Sequence, residues 1–432
     1  MIDLRDLRQR PEAYQRAAEQ KNIRVSVKDF LRIDDERKTL QQSVDAKRAE
    51  QNATSKAMPG LKGKERQKQL SAMKELSAKL KEEENRLQQI EMEWKTMQLL
   101  LPTIPLPSVP IGKDESGNKE MKRWGKPGAS APAKDHVEIG EALGLFDINR
   151  GVKIAGARNY FLVGKGAELH LAVLRLAIDT LTKKGWKLFS PPLMASWDCL
   201  MGTGFFPGAE EQTYAVGAEL ERGKEIETDN LYLIGTSEVS VCSYHNNEVL
   251  PLAMLPTRYC GYSSCFRREA GTYGKDTKGL YRVHQFEKVE QVVLCEADEG
   301  KAMAMFEEIR MNAEEVLQIL EMPYRVLDIC TGDMGRGKVF MQDIETWMPS
   351  RGDYCETHSC SYLGDFQARR LNIKYIDRDG TKKFVHTLNN TCIASPRILI
   401  PLLETYQSTD GSVTIPSALR PYMGGKEKIV KI

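Results

Sequence analysis

Three features that the sequence lacks narrow what this chain of 432 residues can be. It has no excess charge of either sign, since 62 Lys and Arg stand against 60 Asp and Glu, so any nucleic-acid contact must come from a local patch. It has no C-x-x-C pair among its nine cysteines, which argues against a disulfide framework or a zinc site and predicts reduced thiols in a cytosolic protein. It has no uncharged apolar run near ~18 residues, which argues against a membrane-spanning segment. Its charged first segment also has no apolar stretch of the kind found in signal peptides, which argues against secretion, while an organelle presequence that was trimmed from the mature chain remains open.

The chain is too long for one ordinary core, so two or three domains are expected. Residues 27–101 are dense in Lys, Glu, Gln, Ala and Leu, and their only Gly and Pro stand in MPGLKG. Two long helices joined by one turn are the simplest interpretation, and we predict that they form an antiparallel arm. In the second helix, apolar residues follow steps of three and four with one polar skip at Glu83, which is the spacing of a coiled-coil seam: Met73, Leu76, Leu80, Leu87, Ile90, Trp94, Met97 and Leu101.

The turn of this arm is strongly basic. Five cations surround the single acid Glu65, and we call them the arm tip: Lys56, Lys62, Lys64, Arg66 and Lys68. Such a cluster is either a solvated surface or a patch that contacts phosphates, and the residues alone leave both interpretations open.

A proline-rich segment after the arm indicates a domain boundary near residue 105. PTIPLPSVP carries four prolines in nine residues, and it predicts domains at 1–105 and 106–432. Beyond it, strand patterns alternate with helical ones such as KAMAMFEEIRMNAEEVLQIL. That order favours an α+β domain built on a large, mostly antiparallel β-sheet flanked by helices.

Two strand-like runs flank a basic loop with three glycines at 270–281. The first run places Arg267 and Glu269 on one face, and the second places Arg282, His284, Phe286, Lys288 and Glu290 on one face. A solvated hairpin would explain this polarity. A binding site explains it as well, because Arg grips phosphate or carboxylate groups, Phe stacks on a base and Glu binds an ammonium group. The combination favours a site for a nucleotide and a compact amino acid.

The stretch FRREAGTYGKDTKGLYRVHQFEKVE resembles motif 2 of class II aminoacyl-tRNA synthetases, and in detail that of the seryl-tRNA synthetase family. LIGTSEV is similar to that family's segment for the seryl moiety, ETHSCSYLGDFQARR to its ATP and metal segment, and HTLNNTCIASPRILIPLLETYQ to its motif 3. The helix before Pro191 and Pro192 resembles motif 1, which lies at the dimer interface in this class. Because the helical arm is also that family's tRNA-binding domain, the resemblance covers essentially the whole chain.

The resemblance implies a role for each matching residue. The implied catalytic residues are Arg267, Glu290 and Arg397. Arg267 would bridge the ATP α-phosphate and the serine carboxylate, Glu290 would bind the serine ammonium, and Arg397 would bind ATP on the γ-phosphate side. The implied contacts of L-serine are Thr236, Ser237, Glu238, Arg267, Glu290, Asn389 and Thr391. Those of ATP are Arg267, Arg268, Glu269 for the adenine amino group, Val283, Phe286 stacked on the ring, Glu356, Thr357, His358, Ser359 and Arg397. Glu356 and Ser359 would also hold Mg²⁺, a hard cation suited to oxygen ligands, and the arm tip with Lys275 and Lys278 would contact tRNA.

The sequence departs from the commonest bacterial pattern of this family at motif 3, where NNTCIASPR stands in place of a glycine-rich NGSG…GR, and at His358, which replaces a usual serine. The implied protein is a cytoplasmic homodimer that forms seryl-adenylate and charges tRNA-Ser, with tRNA-Sec as a further substrate. One alternative is a synthetase-like amino acid:carrier-protein ligase, which the long arm argues against. The other is a coiled-coil interaction protein with a dead catalytic domain, which the intact Arg267, Glu290, Glu356 and Arg397 argue against.

Overall fold

The computed structural model describes residues 1–128, 134–218, 227–271 and 279–431. The chain divides into two compact units, Met1–Ile104 and Pro105–Ile432. Lys275 and Lys278, two of the residues predicted to contact tRNA, lie outside the described residues. None of the helices within the described ranges is long and apolar enough to cross a membrane.

The first unit is helical, and two of its helices are long. Its helices are α1 (Leu4–Gln9), α2 (Pro11–Gln20), α3 (Val27–Ala57) and α4 (Gly63–Leu100). The 38 residues of α4 span roughly 57 Å at ~1.5 Å per residue. The Ser26 side chain caps α3 by accepting a hydrogen bond from the Asp29 N–H, and the chain reverses through a short turn at Met58–Gly60. The predicted long helical arm is confirmed.

The two long helices contact each other along the predicted seam. Val44 of α3 packs with Leu80 and Leu87 of α4, and all three side chains are buried. Glu83 interrupts the apolar seam, and its carboxylate binds the ammonium of Lys47 on α3 at 2.9 Å. Glu83, the one polar residue in the apolar seam, is therefore paired with Lys47 of the facing helix, which favours one register of α3 against α4.

A buried carboxylate lies at the end of the arm opposite its turn. Asp34 is 1% exposed and accepts hydrogen bonds from the guanidinium groups of Arg8 and Arg37 and from Trp94 Nε1, the last at 2.9 Å. The Lys38 ammonium lies 2.8 Å from the same carboxylate. Burial by itself raises the pKa of Asp34, but the hydrogen bonds from Lys38, Arg8 and Arg37 outweigh it and lower that pKa to about 2. We call these five residues the arm base.

The second unit alternates strands and helices. Its helices are α5 (His136–Leu143), α6 (Ile148–Ala155), α7 (Lys165–Lys183), α8 (Trp197–Thr203), α9 (Glu238–Cys242), α10 (Glu299–Ile319), α11 (Phe366–Leu371) and α12 (Leu399–Thr405). Its strands are β1 (Lys119–Trp124), β2 (Phe146–Asp147), β3 (Phe161–Leu162), β4 (Lys187–Phe189), β5 (Met194–Ser196), β6 (Ala215–Ala218), β7 (Glu227–Leu233), β8 (Val249–Pro251), β9 (Tyr259–Phe266), β10 (Gln285–Cys295), β11 (Tyr324–Asp328), β12 (Phe340–Met348), β13 (Asp353–Tyr362), β14 (Lys374–Ile376), β15 (Lys382–Phe384), β16 (His386–Ser395), β17 (Val413–Thr414) and β18 (Lys428–Ile429).

An eight-stranded sheet dominates the described part of this unit. Its order is β1-β11-β12-β13-β16-β10-β9-β4, and its pairs are antiparallel except for β4 with β9 at one edge. One face packs against α7 and α10, and part of the other face packs against α9 and α11. The predicted α+β architecture with a large, mostly antiparallel sheet is confirmed.

Neighbouring side chains of the central strands point to opposite faces of this sheet. On β10, Gln291 Nε2 donates a hydrogen bond to the Ile309 carbonyl of α10 at 2.8 Å, whereas Glu290 points to the other face. On β16, Asn390 Nδ2 donates to the same carbonyl at 2.7 Å, whereas the Thr391 hydroxyl reaches Glu290 Oε2 at 3.3 Å. We call the face that carries Glu290 and Thr391 the site face.

Candidate active site

The amino-acid end of the predicted site lies on β10 and β16. Glu290 is 2% exposed, and its Oε2 forms an ion pair at 2.5 Å with the ammonium of Lys288, which precedes it by two residues on the site face. The Thr391 hydroxyl donates to the same oxygen, and Asn389 shares the face and is also buried. A buried carboxylate needs such partners, because an unpaired buried charge is costly. Sequence analysis assigned no role to Lys288, and the structure makes it the partner of Glu290.

The LIGTSEV segment leads into α9 beside these strands. Ser237 Oγ donates a hydrogen bond to the Gly261 carbonyl of β9 at 3.2 Å. A Cβ on Gly261 would lie 2.6 Å from that hydroxyl oxygen, so this approach requires glycine. Thr236 Oγ1 accepts a hydrogen bond from the Glu238 N–H at 3.2 Å. Burial raises the pKa of Glu238, and the charge of Glu290 adds to the effect, which places the two carboxylates within electrostatic reach of each other.

The nucleotide end of the predicted site is built around Arg267. Its Cζ lies 5.2 Å from the centre of the Phe286 ring, a cation–π distance, and its Nε donates to the Gly235 carbonyl at 3.4 Å. Its backbone N–H donates to the His284 carbonyl at 2.9 Å, which joins the two sides of the loop. The guanidinium therefore lies between the LIGTSEV segment and the ring predicted to stack on adenine.

The strands on either side of residues 270–281 are shorter than predicted. β9 ends at Phe266 and β10 begins at Gln285, so the prediction that Arg267 and Glu269 lie on one face of a strand is wrong. Glu269 has a φ of +48°, so a regular strand cannot continue through this position. Its carboxylate meets the guanidinium of Arg282 at 3.5 Å. The carboxylate of Glu269, which precedes residues 270–281, is therefore paired with the guanidinium of Arg282, which follows them.

Arg397 is held by an aromatic ring and two carbonyl groups. Its Cζ lies 4.4 Å from the centre of the Tyr281 ring, and the Cζ of Arg351 lies 4.3 Å from the same centre. Its Nε donates to the Tyr281 carbonyl and its terminal nitrogen to the Glu356 carbonyl, both at 3.2 Å. Burial raises the pKa of Tyr281 to about 12, so the ring stays neutral. Sequence analysis missed Tyr281 and Arg351, although Tyr281 closes the loop that was singled out.

Carboxylates collect on β12 and β13 near Arg397. Asp343 pairs in register with Ser359, and Glu345 pairs with Glu356. Burial raises the pKa of Asp343 well above its usual value and the charge of Glu356 adds to the effect, while Lys338 and Ser359 oppose it. Asp343 Oδ1 is buried and has no hydrogen-bond partner among the residues that the structure describes. Sequence analysis missed Asp343, whose signal was a pair of acids two residues apart in the strand pattern QDIETW.

Comparisons with known proteins match both units. Residues 1–105 match the model of the seryl-tRNA synthetase N-terminal domain, and residues 220–406 match that of the class II tRNA synthetase core domain (G, H, P, S and T). A serine-tRNA ligase of Deinococcus radiodurans is 46% identical over 428 residues, which cover 99% of this chain and 98% of that relative. The chain belongs to the seryl-tRNA synthetase family.

Solved structures of this family share the fold. The seryl-tRNA synthetase from Pyrococcus horikoshii complexed with ATP is 36% identical, has a TM-score of 0.86 and is matched over 100% of both chains. The cytoplasmic serine-tRNA ligase from Naegleria fowleri in complex with AMP is 30% identical, has a TM-score of 0.81 and is matched over 97% of this chain and 95% of that one. Family membership confirms the resemblance predicted from the motifs.

Two residues that the family resemblance assigned to ATP have side chains engaged inside the protein. Thr357 and His358 are buried, Thr357 Oγ1 lies 2.7 Å from Thr346 Oγ1, and His358 Nε2 lies 3.1 Å from the Cys392 carbonyl. Burial lowers the pKa of His358 to about 3, so the ring is neutral. The cause is a bulge that makes Thr357 the extra residue of β13. An ATP contact at these two positions would therefore use the main chain.

The remaining predicted contacts lie at the edges of the site or on the arm. Val283 is buried, and Arg268 is exposed while its N–H donates to the Gln212 carbonyl at 2.9 Å. All five residues of the arm tip are exposed. Exposure is compatible with both interpretations of the tip, a solvated surface and a phosphate-binding patch.

Proposed function

We propose that this chain is a serine-tRNA ligase, an ATP-dependent class II enzyme that activates L-serine to seryl-adenylate and transfers the seryl group to the 3′ end of tRNA-Ser. The position of Arg267 carries this proposal. Its guanidinium contacts Gly235, next to the serine-binding segment, and lies over Phe286, the ring proposed to stack on adenine. A cation at that point can bind the serine carboxylate and the α-phosphate together.

Activation is a displacement at phosphorus in which the protein positions groups and neutralises charge. One oxygen of the serine carboxylate forms a bond to the α-phosphorus, the bond from that phosphorus to the oxygen of the β-phosphate breaks, and pyrophosphate leaves. Arg267 offsets charge on the α-phosphate oxygens, Glu290 orients serine through its ammonium, and Arg397 holds the γ-phosphate side. A ribose hydroxyl of the tRNA end then attacks the seryl carbonyl, and AMP leaves.

The residues at β12 and β13 fit a magnesium ion. Carboxylate and hydroxyl oxygens are the donors that Mg²⁺ prefers, and Asp343 Oδ1 is a buried oxygen without a hydrogen-bond partner beside Glu356 and Ser359. Among the described residues, no group of three or more His, Cys, Asp or Glu is arranged to hold a metal. Glu356 and Ser359 would hold the ion, with Asp343 next to them, and the ion would supply positive charge to neutralise the phosphates of ATP.

Selectivity for serine would come from hydroxyl recognition at Thr391 and Asn389. Both are 7% exposed and Thr391 is already bonded to Glu290, so alanine as a substrate would leave the buried amide of Asn389 without the serine hydroxyl as its partner. Such sites reject the analogue that lacks the hydroxyl more strongly than sites that recognise only size.

The partner proposals rest on surface features. An exposed basic arm tip at the end of two long helices suits the phosphate backbone of an extended RNA such as the long variable arm of tRNA-Ser, and of tRNA-Sec. A homodimer is proposed at motif 1, where α7 and the segment around Pro191 and Pro192 carry exposed apolar side chains: Leu171, Leu188, Leu193 and Met194. A cytoplasmic location is proposed because tRNA charging serves translation there.

The experiment that tests this function is ATP-pyrophosphate exchange with each of the twenty amino acids in turn. We expect exchange with serine to exceed all others, and better activity with another amino acid would overturn the assignment. Charging of tRNA-Ser against charging of a carrier protein separates the proposal from the carrier-protein ligase. ATP binding without exchange would favour the dead interaction protein instead.

A further inference from the structure

A buried amide on α11 connects four groups around the amino-acid end of the site. Gln367 is 1% exposed. Its Nε2 donates hydrogen bonds to the Thr203 carbonyl at 2.9 Å and to Glu238 Oε1 at 2.8 Å. Its Oε1 accepts from the Thr387 hydroxyl at 2.7 Å and from the Cys242 thiol at 3.4 Å. Both donors and both acceptor positions of the amide are thus in use.

The partners also determine which way the amide points. Thr203 offers a carbonyl and Glu238 a carboxylate, both of which accept, while Thr387 and Cys242 offer hydrogens. A rotated amide would bring oxygen against oxygen at the Thr203 and Glu238 contacts and lose those two hydrogen bonds. The side chain therefore has one orientation, with its N–H group aimed at Glu238.

Glu238 needs such a partner because of its neighbours. Glu290 of β10 repels it, and Lys288, the nearest cation on that strand, is already paired with Glu290 at 2.5 Å. Lys338, from the loop before β12, attracts Glu238 more weakly than Lys288 does. Burial raises the pKa of the Cys242 thiol on α9, so this neighbour stays neutral. The hydrogen bond from Gln367 is the largest influence that favours the ionised Glu238 carboxylate.

We propose that Gln367 is a positioning residue for amino-acid binding, which holds the Glu238 carboxylate in place through the hydrogen bond to Oε1. The proposal rests on the proposed function and on the contact between Glu238 and L-serine that the family resemblance implies. A Glu238 carboxylate held in this orientation lies within electrostatic reach of Glu290, which is paired with Lys288, and offers a second acceptor to the ammonium of the substrate. Loss of the amide would therefore weaken serine binding while leaving the ATP end unchanged.

The test compares three variants in ATP-pyrophosphate exchange. Gln367→Met removes the donor and keeps the size, and we expect the KM for serine to rise about tenfold or more and the KM for ATP to change less than about twofold. Thr387→Val is the matched control, because it removes a buried hydrogen bond to the same amide and leaves the bond to Glu238. We expect its KM for serine to stay within about twofold of the wild type.

Gln367→Glu tests the donor itself. At pH 6 a protonated Glu at this position can donate to Glu238, and we expect a KM for serine near that of the wild type. Two carboxylates at this distance cannot both ionise easily, so the ratio of variant to wild-type KM should rise toward pH 8.5 as the shared proton is lost.

The proposal is overturned if Gln367→Met and Thr387→Val raise the KM for serine equally, or if the ratio for Gln367→Glu does not depend on pH. It is also overturned if neither Gln367 variant folds, as judged by thermal unfolding, since the residue would then be structural. A wild-type chain without serine-dependent exchange would instead defeat the proposed function.

Discussion

Removing the charge of Asp34 should weaken the arm base by an amount that the structure sets. A pKa lowered from 3.8 to about 2 corresponds to about 2 kcal/mol of stabilisation at neutral pH, because one pKa unit equals about 1.4 kcal/mol. The side chain is 1% exposed, so solvent does little to reduce this figure. We expect Asp34→Asn to lower the free energy of opening of α3 and α4 by about 2 kcal/mol, measured on the full chain by hydrogen exchange of peptides from residues 27–101.

Asp35→Asn is the matched control. Asp35 pairs with the same Arg8 at 2.6 Å, but its side chain is 62% exposed, and exposed ion pairs contribute little. We expect its hydrogen exchange to match the wild type. Equal effects of the two substitutions, or protection unchanged in Asp34→Asn, would refute the reasoning.

The pH dependence of the arm base has a definite sign. The pKa of Asp34 is lower in the folded chain than its ordinary value of 3.8, so the stabilisation is fully present above pH 3.8 and is lost as the pH falls through about 2. The difference in protection between the wild type and Asp34→Asn should therefore shrink in acid, and a difference that grew there would contradict the assignment.

Three further expectations concern the site and the arm. Glu290→Gln should raise the KM for serine about tenfold or more, because Glu290 acts on substrate binding. Arg267→Ala should lower kcat about a hundredfold or more at saturating serine, because Arg267 acts on charge in the transition state. If each variant changed KM and kcat equally, this division of roles would be contradicted. Deletion of residues 30–100 should preserve serine-dependent exchange and abolish tRNA charging, and loss of both activities would show that the arm serves more than tRNA. The pKa of His358 lies at about 3 in the folded chain against an ordinary value of 6.5, so between pH 7 and pH 5 only the unfolded chain takes up this proton, which lowers the free energy of unfolding. His358→Gln should therefore lose less stability than the wild type between pH 7 and pH 5, as measured by urea unfolding. An equal loss in both proteins would contradict the buried neutral ring.

The seam of α4 and the alternation along β10 were predictable from the sequence, because a regular helix or strand brings residues at a fixed spacing to the same face. The seam of α4 followed from steps of three and four, and the skip at Glu83 marked a real interruption that Lys47 fills. The alternation along β10 placed Phe286, Lys288 and Glu290 on one face. The family motifs then named candidate residues at both ends of the site.

The rest depends on irregular backbone and on contacts between distant segments. A bulge on β13 turns Thr357 and His358 inward, and alternation cannot locate a bulge. β9 ends before Arg267 and Glu269 has a positive φ, although the sequence pattern still indicated a strand there. Asp34 meets Arg8 and Gln367 meets Glu238 across long stretches of chain, so their pairing follows only from the folded structure.

The alternation along β16 gives this family member two strand faces that can change separately. Asn389 and Thr391 line the site face, whereas Asn390 binds α10. Substitutions at positions 389 and 391 can alter the fit of the amino acid without repacking the core, whereas Asn390 and Cys392, which stand where NGSG carries its glycines, fill space on the core side. An insertion or deletion of one residue in this strand has no such freedom, because it would exchange pocket and core in a single step.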